Sequence, residues 1–356
     1  MMANALVRCG YFALAATARR SVLLLGLLVA CSYAAPAGAQ AIISNGGIAL
    51  GVDSLGQLNV PDGTGGVFLT PTNSGSVGLY SFALDADATS PGCLCEGFGI
   101  SANGVSGFAD NAAGTAGLTS VSFGSTASTA TAVAELSSLT GFTVTQFYHP
   151  SASPDLFIDE VTLTYGTGSA VSDLRYNRTM DWDIPPTTFD EFVTLQGWPA
   201  TALLNSGDDG FQSPDPLVAS DIFCGGVANA NFTDAGPCDH GARFTFGFGG
   251  LAAGGTKSFS IFYGASLSEA AALTALGTVG AEVYSLGQCH TGVVIGCDAT
   301  VGTPSTFIFG FAGVGGTALP PPDPPVSSAV PEPSSLILMG SGLLAAVRYR
   351  RRQSSK

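Results

Sequence analysis

Apolar and polar residues alternate with a period of two along much of the chain between residues 41 and 318. In ARFTFGF, Phe244, Phe246 and Phe248 alternate with Arg243, Thr245 and Gly247, and Phe307, Phe309 and Phe311 repeat the device. Such alternation buries one face of a strand. TSVSF, GFTVTQFY, LFIDEVTLTY, DLRYNRTMDWDI and KSFSIFYG carry the same signal. One helix is predicted where Ser266 and Glu269 form a capping box, an alanine-rich run follows and Gly277 closes it. A second short helix is expected over 281–286. Many strands, frequent glycine turns and little helix predict an all-β fold, an antiparallel β-sandwich with one or two short helices.

Two neighbouring strands make a sharper prediction, because each carries one charge on an otherwise apolar face. Asp159 stands among Phe157, Val161, Leu163 and Tyr165, and Arg178 among Leu174, Tyr176, Met180, Trp182 and Ile184. GTGSAV between them reads as a turn. A hairpin that aligns the apolar faces sets Asp159 opposite Arg178 as a buried structural ion pair.

The ends of the chain are organised differently. Residues 1–39 read as a secretory signal: Arg8, Arg19 and Arg20 precede VLLLGLLVA, and Ala37, Gly38 and Ala39 offer a small-residue cleavage site. A rival reading makes Cys31, at the end of LVAC, a lipidated residue; export by the general secretion machinery is common to both. Residues 319–333, LPPPDPPVSSAVPEP, form a stiff spacer after the 41–318 domain. In 334–356 an uncharged run of 14 residues leads to Arg348, Arg350, Arg351 and Arg352. The run reads as a transmembrane helix shorter than the roughly 20 residues of a full crossing, and the arginines suit a cytoplasmic end.

Pro331, Glu332 and Pro333, the oily run and the arginines together resemble the PEP-CTERM sorting tail of exported Gram-negative proteins. The same tail is also labelled an ice-binding protein C-terminal domain, a label that describes the tail and not an activity. The resemblance implies an exosortase-type protease as partner. It also implies a precursor tethered in the inner membrane by its C-terminal hydrophobic sorting helix, then a cell-surface or extracellular product. PGCLCEGFG, MDWDIPPTTFDEFVTLQG and DHGARFTFGFG resemble an ectodomain type that recurs among PEP-CTERM proteins, which implies no activity.

Residues 41–331 hold 25 acids against Arg175, Arg178, Arg243 and Lys257, a net charge of −21. That surface repels phosphate backbones and excludes nucleic acid as a partner. Six of the eight cysteines follow the signal, and an even count in an exported chain implies disulfides. Cys224 with Cys238 and Cys289 with Cys297 close short local loops, leaving Cys93 and Cys95 as a small clip.

Candidate chemistry is sparse. Asp181 and Asp183 share the polar face of one strand, and with Trp182 and Trp198 they outline a ligand-binding candidate of carbohydrate type. Solvated acids on the outside of a sheet are the plainer reading. Asp85 with Asp87, Asp155 with Asp159 and Glu160, and Asp208 with Asp209 offer oxygen ligands of the calcium kind, without the loop of an EF-hand. His149, His240 and His290 lack metal-ligand spacing, so no metal site and no cofactor are expected. Asp239 and His240 suggest part of a hydrolase triad, but no G-x-S-x-G elbow accompanies them. The expectation is a non-enzymatic structural or adhesive protein of the extracellular matrix. The alternative is a protein that binds or cleaves extracellular polysaccharide through 181–198.

Overall fold

The computed structural model describes residues 39–63, 75–166, 169–322 and, near the carboxyl end, 343, 346–351 and 353. All but the last residue of the signal at 1–39, the Pro331, Glu332, Pro333 triplet and Arg352 lie outside the described residues. Arg348, Arg350 and Arg351 are exposed in a helical stretch. Among the described residues no helix is long and apolar enough to cross a membrane.

The alternating segments become antiparallel strands in two large sheets. Nine strands form one, in the order Leu118–Ser125, Ala130–Leu136, Phe142–Pro150, Leu156–Tyr165, Thr256–Ser266, Thr306–Ala312, Val283–Cys289, Glu191–Gln196 and Phe232–Cys238. Six form the other: Leu203–Gly207, His240–Leu251, Val171–Trp182, Glu96–Ala102, Val105–Asp110 and Gly114–Ala116. Gln40–Ser44, Ile48–Asp53, Leu79–Ser81 and Ala86–Asp87 make a smaller sheet. The architecture is all-β and sandwich-like, as the alternation predicts.

Aromatic rings join the large sheets face to face. Phe246 of one lies 4.7 Å from Phe311 of the other, Phe244 lies 5.3 Å from Phe311, and Tyr176 lies 4.9 Å from Phe259. All five are nearly or wholly buried, each burial contributing about 1.5–3 kcal/mol. The opposite face of Thr306–Ala312 is also covered: Ile308 packs with Leu276, Ala272 and Leu286 beneath the helix Glu269–Thr278.

Three local expectations are corrected. Leu156–Tyr165 and Val171–Trp182 do not form a hairpin, because the chain leaves the nine-stranded sheet after Tyr165 and enters the six-stranded one at Val171. Each strand instead has a long partner on both sides, so both apolar faces meet across the core. The helix is capped by Ser268, whose hydroxyl accepts from the Ala271 N–H at 3.3 Å, while Ser266 still belongs to the preceding strand. Gly277 lies in the last turn, and Gly280 adopts the left-handed conformation just beyond it (φ +65°). The second helix is replaced by the strand Val283–Cys289. Val283 packs in the main core and Leu286 under the helix, on opposite faces, which suits a period of two.

Candidate functional site

The even face of Val171–Trp182 carries Arg178 into the interior between the sheets, fully buried. Its Nη1 donates to Gln146 Oε1 at 2.6 Å and its Nη2 to the Gly56 carbonyl and the Tyr148 hydroxyl at 3.2 Å each. Phe98 and Tyr263 flank the guanidinium at 5.6 and 5.5 Å. Its ion-pair partner is Glu96, on the neighbouring strand, whose second oxygen accepts the Leu58 N–H at 2.6 Å. Arg178 and Glu96 thus strap residues 56–58 onto the sandwich.

The expected Asp159–Arg178 ion pair is therefore corrected. Asp159 lies in the other sheet, fully buried, with neither carboxylate oxygen hydrogen-bonded. Burial, opposed by the Arg178 charge, raises its carboxyl to about 7. Arg178 is neutralised by Glu96, leaving Asp159 as the surplus acid of this cluster.

A second cluster forms on the odd face of the same strand. Asp181 and Asp183 do share that face, but they are 2% and 0% exposed rather than solvated. The antiparallel register pairs Trp182 with His240, so one further step brings Asp239 opposite Asp183. Asp239 occupies the corner where the chain passes from Cys238 in the nine-stranded sheet to His240 in the six-stranded one. Carboxylate oxygens of Asp181, Asp183 and Asp239 lie within 4.8 Å of one another.

Loops cover this end of the sheet. Gly210 packs on Asp181 so closely that an added Cβ would stand 2.7 Å from its Cα. On the other side Gly92 has φ +67°, and a Cβ there would stand 3.2 and 3.3 Å from the two oxygens of Asp183. Cys93 and Cys95, joined by a disulfide, complete the cover, with Cys93 Sγ 3.4 Å from Asp181 Oδ2. Burial and the charges of Asp181 and Asp239 raise Asp183 to about 9; burial and the Asp239 and Asp209 charges push Asp181 well above the carboxylate range. Glu191 stands close by: its Oε1 accepts the His240 N–H at 2.9 Å, its Oε2 has no partner, and burial foremost raises it to about 10. Such a group of acids holds protons or a cation.

The indoles do not join this cluster as a sugar-binding shelf. Trp182 is wholly buried on the inner face, its Nε1 donating to Ser285 Oγ at 3.0 Å. Trp198 is half-buried and lines a shallow depression with Pro199, Glu282 and Gly315. Apart from Asp159, the other candidate calcium aspartates are occupied by the fold, Asp85 by the Tyr80 hydroxyl and Asp209 by the Phe211 N–H. Asp87 accepts N–H groups of Gly78, Leu79, Thr89 and Ser90, and Asp155 accepts from the Ser266 hydroxyl. Asp208 takes N–H groups of Phe223, Cys224 and Gly226 and pairs with the buried His240, which sets that histidine against Asp208 rather than Asp239. His149 lies near Glu160 and His290 near Asp190.

Disulfides join Cys224 to Cys238 and Cys289 to Cys297. Sequence reasoning missed Glu96 as the partner of Arg178, and Asp239 and Glu191 as neighbours of Asp181 and Asp183. The alternation around Asp181 signals the shared face, but the order of strands in the sheet decides what meets it.

A comparison with curated proteins finds no match to the chain. Residues 329–352 match the PEP-CTERM protein-sorting motif. That segment is an exosortase-sorting tail, and the chain that bears it is an exported, surface-sorted protein.

Proposed function

We propose that the chain is a non-enzymatic structural or adhesive component of the cell surface or extracellular matrix. The observation that carries this reading is the sorting motif at 329–352, joined by a proline-rich spacer to a disulfide-closed β-sandwich. The use of its polar core supports the same reading. Arg178, Glu96, Tyr148 and Gln146 are spent on one another and on residues 55–58. The Trp182 indole, which the polysaccharide alternative needs on a surface, fills the interior.

The test is deletion of the protein from the producing cells, followed by measurement of aggregate cohesion and matrix retention. Cohesion should fall and return with the full chain, but not with a chain ending at residue 318. Unchanged cohesion, together with saturable binding of the full chain to a glycan array that Trp198→Ala abolishes, would favour the polysaccharide reading instead.

A further inference from the structure

We propose that Asp181, Asp183 and Asp239 form a calcium-binding site at the corner where the two large sheets join. Their oxygens lie within 4.8 Å of one another, the span of a shell whose ligands stand about 2.3–2.6 Å from a central Ca²⁺. Neither oxygen of Asp183 has a hydrogen-bond partner, nor has Oδ1 of Asp181 or of Asp239. Asp183 is 0% exposed, and an unpaired buried carboxylate is costly.

The contrast with the other buried acids is informative. Asp87 and Asp208 are each surrounded by backbone N–H donors. At the corner the structure brings acids together and supplies no comparable donors. No arginine or lysine of the 41–331 segment serves them either: Arg175 holds Asp173, Arg178 holds Glu96, Arg243 binds the Asp215 and Val218 carbonyls, and Lys257 lies over Phe248, while the neighbouring His240 is paired with Asp208. A divalent cation from outside the chain would balance these acids in place of protons.

The donor set selects the ion. Three carboxylates are hard oxygen ligands. The nearest sulfurs, Cys93 and Cys95, are tied to each other and offer no thiolate. Calcium accepts six to eight oxygens in adaptable geometry, whereas zinc favours nitrogen and sulfur. Asp239 is partly exposed, which gives the ion a way in and leaves room for water ligands. A bound ion would tie the Cys238-to-His240 corner to the end of Val171–Trp182.

The test is calorimetric titration of the full chain, purified in mild detergent and stripped with chelator, using calcium chloride, magnesium chloride and zinc chloride. One calcium per chain should bind, and the melting temperature should rise by about 5 °C at a hundredfold excess over Kd. Asp183→Asn and Asp239→Asn should each weaken calcium binding at least about tenfold, and Asp173→Asn, at the surface, should leave it unchanged. Should Asp183→Asn fail to fold, the wild-type stoichiometry and Asp239→Asn still decide. No calcium binding by the wild type, wild-type affinity in both site variants, or zinc binding only after reduction of Cys93–Cys95 would overturn the proposal.

Discussion

The Nε of Arg178 lies 2.5 Å from Oε1 of Glu96, and both side chains are completely buried between the sheets. Removing one partner leaves the other charge stranded in the core. Glu96→Gln is expected to destabilise the fold by about 3–5 kcal/mol. Replacing the pair with apolar residues, as in Glu96→Leu with Arg178→Met, should cost less than the single change. Urea unfolding of the three proteins measures both differences, and a single-variant loss below about 1 kcal/mol would contradict this role.

Asp159 makes stability depend on pH. Between its ordinary 3.8 and about 7, the folded chain keeps a proton that the unfolded chain has released. Stability therefore falls as pH rises through that window, by up to about 1.4 kcal/mol per unit, and levels off above it. Asp159→Asn should lose this slope, so its unfolding free energy should change less than the wild type's between pH 5 and pH 7. Arg178, Glu96 and Tyr148 are common to both proteins, and the difference isolates Asp159. Identical slopes would contradict the assignment.

The alternation of Phe244, Phe246 and Phe248, and of Phe307, Phe309 and Phe311, made the sandwich legible, because a period of two has one structural solution with one face buried. The lone charge at Arg178 was legible as buried and paired. Its partner was not, since Glu96 becomes a neighbour only through the order of strands in the six-stranded sheet. The turn signal in GTGSAV was real, but a turn at the edge of a sandwich can cross to the facing sheet as well as fold back within its own. Asp181 and Asp183 read as solvent-facing because alternation shows a second face without showing what covers it. Here the loops carrying Gly92 and Gly210 do so.

The disulfides are open to direct mapping. Unreduced peptide digests should yield Cys224 linked to Cys238 and Cys289 linked to Cys297, whose Cα atoms stand 6.3 and 5.7 Å apart, within the ordinary range for a bridge. Removing the first by Cys224→Ala with Cys238→Ala should cost about 3 kcal/mol, as expected for a loop of this length. A digest showing Cys224 linked to Cys289 would contradict the pairing.

The address of this chain is carried by the motif at 329–352. Processing by an exosortase is expected to remove the oily run and the arginines that follow Pro333. The most direct measurement is the intact mass of the extracellular protein recovered from the producing cells. The expected mass is that of a chain ending near Pro333, with its amino end near residue 40. A main extracellular species that still carries Arg350, Arg351 and Arg352 would contradict the sorting of this protein through its tail.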